Sequence, residues 1–164
     1  MKKKIGVLAL QGAFIEHMAL LQRIGVEAVA VRLPEQLDGL DGLIMPGGES
    51  TTIGKLMVTY GFDWRIGELA RTGMPIYGTC AGMILMAKSI EGMDQPILGL
   101  MDLTVKRNAF GRQVDSFEAD LVIPALGEVP FHAVFIRAPI IKSLGPAVSV
   151  FATLPGGQIV GARQ

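Results

Sequence analysis

Short apolar runs alternate with helical repeats through roughly the first ninety residues, and this alternation limits the possible folds more than any other feature of the chain. "KIGVLAL", Lys4 to Leu10, is apolar almost throughout, as expected of a first strand buried on both faces. Phe14, Ile15, Met18, Leu21 and Ile24 then recur at helical spacing, and Gly25 stands where a helix would stop. "EAVAVR" and "DGLIM" read as two further strands, the second ended by Pro46 and two glycines. Residues 51–60 and 64–71 carry helical patterns, "MPIYGT" reads as another strand, and "AGMILMAKSI" as a helix directly behind it. Such alternation implies a mostly parallel sheet with helices on both faces. Beyond Gly99 the segments "LMDLTVKRN", "SFEADLVI", "HAVFIRA", "AVSVFAT" and "QIVGAR" are strand-like with turns between them. They predict antiparallel or mixed strands added at one side of the sheet by the C-terminal half.

With 164 residues and no linker or repeat, the simplest organisation is one domain over residues 1–164. The formal net charge is zero and the lysines and arginines are scattered, so neither a nucleic-acid footprint nor a polybasic membrane patch is expected. The opening "MKKKIGVLALQGAF" mimics a secretion signal, but Gln11 and then Glu16-His17 interrupt it early. No stretch reaches the roughly 18–20 apolar residues that cross a bilayer. The single cysteine cannot form an internal disulfide, which fits a reducing, cytoplasmic setting.

That cysteine lies in Gly78-Thr79-Cys80-Ala81-Gly82, a glycine-x-nucleophile-x-glycine elbow with a strand before it and a helix after it. A thiol at a helix N-terminus is favoured in its ionised form; the plainer alternative is a small buried hydrophobe. "MPGGEST", residues 45–51, follows another strand. Gly47 and Gly48 permit unusual backbone conformations, and their N–H groups can form an oxyanion-binding nest, although a plain turn is as good a reading. Ser50 or Thr51 reads as the cap of the next helix. In "VKRNAFGRQVDSFEAD", residues 105–120, Arg107 and Arg112 can each grip a carboxylate, with an ordinary surface loop favoured for Arg112. "FIRAP" places Arg137 at a strand end, where open α/β sheets bind ligands. His17 and His132 lack a neighbouring acid at dyad spacing and read as structural, and they form no metal set with Cys80. The nine methionines read as core filler.

Five stretches in order, "GVLALQGAFIEH", "LDGLIMPGGESTT", "GTCAGMI", "RNAFGRQVDSFEADL" and "VFIRAP", closely resemble the class I, triad-type glutamine amidotransferases that serve as glutaminase subunits of pyridoxal 5'-phosphate synthase. The resemblance spans nearly the whole chain. It implies an α/β, flavodoxin-like three-layer sandwich and hydrolysis of L-glutamine through a thioester on Cys80. Backbone N–H groups near Gly48 and Ala81 would hold the oxyanion. Gly48, Glu49, Ser50, Arg107, Ile136 and Arg137 would bind glutamine, and Gln11 would lie near the partner interface and help to organise the oxyanion loop. The implied partner is a (β/α)8-barrel synthase subunit in a hetero-oligomer, which combines the ammonia with a pentose phosphate and a triose phosphate in vitamin B6 synthesis. Neither a cofactor nor a metal is implied. Members of the family end in a segment containing His-Pro-Glu, which completes the triad, and residues 1–164 hold no such segment. The expectation is that the gene product continues past Gln164. The alternative is a catalytically inactive regulatory or binding subunit. A redox-sensing thiol protein is a third reading, against which the PGGEST and NAFGRQ stretches argue.

Overall fold

The computed structural model describes residues 2–110 and 116–164. Arg112 lies outside the described residues. The chain divides into two compact units, one taking the residues up to Met86 with Asp94–Leu100, the other Ala87–Met93 with Met101–Gln164.

The first unit is built on four parallel strands, β1 (Lys4–Leu8), β2 (Glu27–Val31), β3 (Gly42–Met45) and β4 (Ile76–Gly78), in the order β2-β1-β3-β4. Four helices connect or follow them: α1 (Phe14–Arg23), α2 (Ser50–Tyr60), α3 (Phe62–Arg71) and α4 (Ala81–Met86). Strand β1 is central, and Val7 and Leu8, which point to opposite faces, are both fully buried, as its unbroken apolar run predicts. Helix α1 turns Phe14, His17, Met18 and Leu21 inward and leaves Ile15, Glu16, Ala19 and Leu20 exposed. Gly61, at φ +76°, closes α2 and opens α3, so that Ile53 and Met57 of one and Phe62 and Ile66 of the other enter the core. This is the flavodoxin-like strand order, whose direction reverses between β1 and β3. The carboxyl ends of β1, β3 and β4 carry the QGA, PGGEST and GTCAG segments respectively.

The second unit contains a mixed five-stranded sheet. Its strands are β5 (Ala87–Ile90), β6 (Met101–Lys106), β9 (Ile140–Leu144), β10 (Ser149–Thr153) and β11 (Ile159–Arg163), in the order β10-β11-β9-β6-β5. Only the β5–β6 pair is parallel. A separate antiparallel hairpin joins β7 (Ser116–Leu121) to β8 (Phe131–Ile136). Its inner face sets Phe117 stacked on Phe135 at 4.8 Å, with Phe110 edge-on to Phe117, over a cluster of Leu121, Ile123, Ala133, Ala152 and Leu154.

Two local expectations are corrected. The helix behind β4 ends at Met86, and residues 87–90 are a strand. Ser89 meets the Thr104 hydroxyl at 2.8 Å and Lys88 meets Asp102 at 2.8 Å, so cross-strand pairs prevail over helical continuation. The strand Ile140–Leu144, with Ile141 buried, stands in a stretch that the sequence pattern left unassigned. No helix among the described residues is long and apolar enough to cross a membrane.

On the outer face of the hairpin, His132 places Nδ1 2.9 Å from Asp120 and Nε2 2.9 Å from Glu118. Hydrogen bonds to Asp120 and then Glu118 raise its pKa above the ordinary imidazole value. A raised folded-state pKa means that the bracing is fully present below the ordinary value and is lost as pH rises through the raised one. Amide-exchange protection of β7 and β8 is therefore expected to fall over that window, and His132→Ala should abolish the pH dependence.

Candidate active site

Three loops are laced together at the carboxyl ends of β1, β3 and β4. The Ala13 N–H donates to the Gly47 carbonyl at 2.9 Å, and the Glu49 N–H donates to Gln11 Oε1 at 2.9 Å. The Thr79 N–H donates to the Met45 carbonyl at 3.0 Å. A Cβ built on Gly47 would lie 3.4 Å from the Cβ of Cys80, so the PGG loop runs directly beside the thiol-bearing turn.

The turn itself is an elbow. Cys80 has φ +50°, a left-handed conformation that few side-chain-bearing residues adopt. Its carbonyl accepts from the Ile84 N–H at 3.2 Å, which starts α4, while the Thr79 carbonyl accepts from the Gly82 N–H at 2.8 Å. Both flanking glycines are required by space. A Cβ on Gly78 would meet the Gly82 backbone at 2.6 Å, and one on Gly82 would run into the Met45 carbonyl oxygen. Cys80 is half-buried. A cysteine that only filled core space would have no cause to hold a strained backbone, which costs about 1–3 kcal/mol.

The oxyanion loop departs from expectation in one respect. Gly47 and Gly48 do not have left-handed φ. Close approach is what demands glycine at 48, because a Cβ there would sit 2.7 Å from Gln11 Oε1 and 3.0 Å from the Gly12 Cα. The cap of α2 is also neither Ser50 nor Thr51. Glu49 caps it, with Oε2 accepting from the Thr52 N–H at 3.0 Å. Ser50 is buried, and its hydroxyl and that of Thr51 both donate to Gln95 Oε1 at 3.2 Å. Ala81, the other residue expected at an oxyanion, is buried at the first position of α4.

The remaining predicted residues belong to the second unit. Arg107 follows β6, and its Nη1 donates to the Met93 sulfur at 3.0 Å. Ile136 ends β8 with its side chain exposed, and Arg137 follows at φ +44°. The Ala109 N–H donates to the Ala138 carbonyl at 3.3 Å, so the turn after Arg107 and the turn after Ile136 are neighbours within that unit. Asn108, beside Arg107, is also left-handed at φ +46°.

Both histidines have side-chain partners. His132 is held by Asp120 and Glu118. His17, whose pKa burial pushes below the ordinary imidazole value against a smaller opposing effect of Glu16, places Nε2 3.3 Å from Thr79 Oγ1. The Gln95 contacts and the His17–Thr79 contact are features of the site that the sequence pattern does not disclose.

Residues 7–164 match the SNO glutamine amidotransferase family. The chain belongs to that family. It is 63% identical over 163 residues to the pyridoxal 5'-phosphate synthase subunit PdxT of Herpetosiphon aurantiacus, a match covering 98% of this chain and 86% of that one. Its identity to the subunit of the same name from Moorella thermoacetica is 58% over 161 residues, covering 98% and 85%. A crystal structure described as a glutamine amidotransferase superposes with a TM-score of 0.91 at 52% identity, covering 98% of this chain and 84% of that chain. In this SNO family member the elbow follows β4, and its two glycines are fixed by contact.

Gly82→Ala should therefore destabilise the fold by about 1–3 kcal/mol, the usual cost of forcing an added methyl into a packed site. Chemical denaturation of the variant should show a lowered midpoint, whereas Gly67→Ala, where nothing lies within 4 Å of the added atom, should not be lowered.

Proposed function

We propose that Cys80 attacks the side-chain amide carbon of L-glutamine and that the ammonia released is passed to a synthase subunit making pyridoxal 5'-phosphate. The protein is a glutaminase of the SNO glutamine amidotransferase family. The observation that carries the assignment of Cys80 is its left-handed φ at an elbow packed against the Gly47–Glu49 loop.

The thiolate forms a C–S bond, and the carbonyl oxygen takes up negative charge. Main-chain N–H groups at Gly48 and Ala81 are the donors proposed for that oxyanion. The C–N bond then breaks, the nitrogen leaves as ammonia after accepting a proton, and a glutamyl thioester remains. Water adds to the thioester, the C–S bond breaks, and glutamate departs with the thiol restored. The proton carrier implied by the family resemblance is the histidine of a His-Pro-Glu segment; His17 and His132 are engaged elsewhere.

Glutamine is proposed to be held by Gly48, Glu49, Ser50, Arg107, Ile136 and Arg137. The Ser50 side chain is buried and gives its hydroxyl proton to Gln95, which supports a main-chain share in binding. Arg107 suits the α-carboxylate, since a guanidinium offers paired donors. The left-handed residues beside Arg107 and at Arg137 support a functional reading of those two turns. Gln11 already accepts from Glu49, which supports its role in ordering the oxyanion loop. The partner proposed is a (β/α)8-barrel synthase subunit, supported by the names of the relatives at 63% and 58% identity. Residues 1–164 act as one amidotransferase domain, and the single cysteine supports a cytoplasmic setting.

Ammonia release from glutamine, measured with the synthase subunit present, tests the assignment. Cys80→Ala should lower kcat by more than about 10⁴-fold, as removal of a nucleophile does in comparable hydrolases. Arg107→Gln should raise KM about 10- to 100-fold with a smaller effect on kcat, the loss expected for a charge-assisted contact. Retained activity in Cys80→Ala would remove the thiol from the mechanism.

A further inference from the structure

We propose that His17 is a positioning residue for the nucleophile, acting through the Thr79 hydroxyl to hold the backbone at Cys80 in its left-handed conformation. The proposal rests on Cys80 being the nucleophile, as argued above.

Four observations carry it. His17 occupies the inward face of α1 together with Phe14, Met18 and Leu21, a position where an apolar side chain would serve packing alone. Its Nε2 lies 3.3 Å from Thr79 Oγ1, a contact bridging 62 residues of sequence. Thr79 is the residue immediately before Cys80, and its main chain is already tied at both ends, by its N–H to Met45 and by its carbonyl to Gly82. The imidazole adds a side-chain anchor, so the residue preceding the strained one is fixed at three points. Strained φ values persist only where the surroundings over-determine them.

The ring's surroundings favour its neutral form. Burial disfavours the imidazolium, and Glu16, the charged neighbour that opposes this effect, is itself exposed on the outer side of α1. In the neutral ring Nε2 either accepts from the Thr79 O–H or donates to its oxygen, according to the tautomer, and either arrangement anchors the threonine side chain. Engaged in this way, His17 does not touch the reacting atoms. Its effect is on the orientation of the thiol, and so on kcat; the groups proposed to bind glutamine are elsewhere.

The test uses the protein in complex with its synthase partner and compares Thr79→Val, Thr79→Ser, His17→Leu and the double variant His17→Leu/Thr79→Val. Thr79→Val and His17→Leu are each expected to lower kcat about 3- to 10-fold, the worth of one neutral hydrogen bond, with KM for glutamine unchanged. The double variant should be no slower than either single one, because both remove the same contact. Thr79→Ser, which keeps the hydroxyl, should restore kcat, and alkylation of Cys80 by iodoacetamide should slow in parallel with kcat. An unaltered kcat in Thr79→Val, a serine variant as slow as the valine one, or a double variant slowed by the product of the two single effects would each overturn the proposal. Should His17→Leu fail to fold, the valine and serine variants decide the matter alone. Cys80→Ala separates this proposal from its premise. Activity retained there removes the nucleophile itself, whereas activity lost there with normal kcat in Thr79→Val removes only the brace.

Discussion

The contact on which the site depends is the crossing of α4 over the end of β3, where Gly82 lies so close to the Met45 carbonyl that a methyl group would overlap it. The chain leaving β4 has to reverse within a few residues to make that crossing. Gly78 and Gly82 leave the room, and the whole conformational strain falls on Cys80, between them. The same carbonyl accepts the Thr79 N–H, so the end of β4 is pinned to the end of β3 where the PGG loop begins. Cys80 and the loop beside it thus share the Met45 carbonyl as a common anchor.

The QGA turn extends this arrangement to the central strand. Gly12, at φ +102°, brings its backbone against the Gly47 carbonyl, leaving Ala13 to donate to that oxygen and Gln11 to accept from Glu49. Behind the loop, Gln95 gathers the hydroxyls of Ser50 and Thr51, while the Pro96 carbonyl lies against Gly54 in the first turns of α2. The proposed oxyanion loop is thus held from one side by the loop after β1 and from the other by the segment beginning at Asp94. Catalytic loops on a rigid sheet reach their accuracy in this way, through many short ties to the scaffold.

What the sequence discloses and what it conceals divide along physical lines. The strands of the first unit are legible because parallel strands buried on both faces must be continuously apolar, as β1 and β3 are. The elbow is legible because its two glycines are forced by close approach and keep a fixed spacing around the thiol. Strand β5 is concealed, since "AGMILMAKSI" has a helical texture and only the pairing of Lys88 and Ser89 with Asp102 and Thr104 makes its end a strand. The cap of α2 is concealed for a local reason: Glu49 reaches round to Thr52, while the better cap formers beside it are drawn away by Gln95. The contacts of His17 with Thr79 and of Gln95 with Ser50 span 62 and 45 residues and leave no periodic trace. Reading His17 as structural from its sequence context gives no hint of its contact with Thr79.

Strain gives an independent view of the same map. Among the described residues, the non-glycine positions with positive φ are Cys80, Asn108 and Arg137. Cys80 and Arg137 each cost about 1–3 kcal/mol, against a total stability of roughly 5–15 kcal/mol for a typical domain. A fold selected for stability alone would relax Cys80 and Arg137, whereas asparagine tolerates this region well. Cys80 is the proposed nucleophile, Arg137 a proposed glutamine contact, and Asn108 the neighbour of another, Arg107. In the first unit the strain is contained by glycine contacts and by the ties on Thr79. In the second, the Ala109–Ala138 hydrogen bond links the turns that carry Asn108 and Arg137. Sequence motifs and backbone energetics, which share no assumptions, select the same short segments. That agreement is what separates these loops from the ordinary turns that their composition alone would allow.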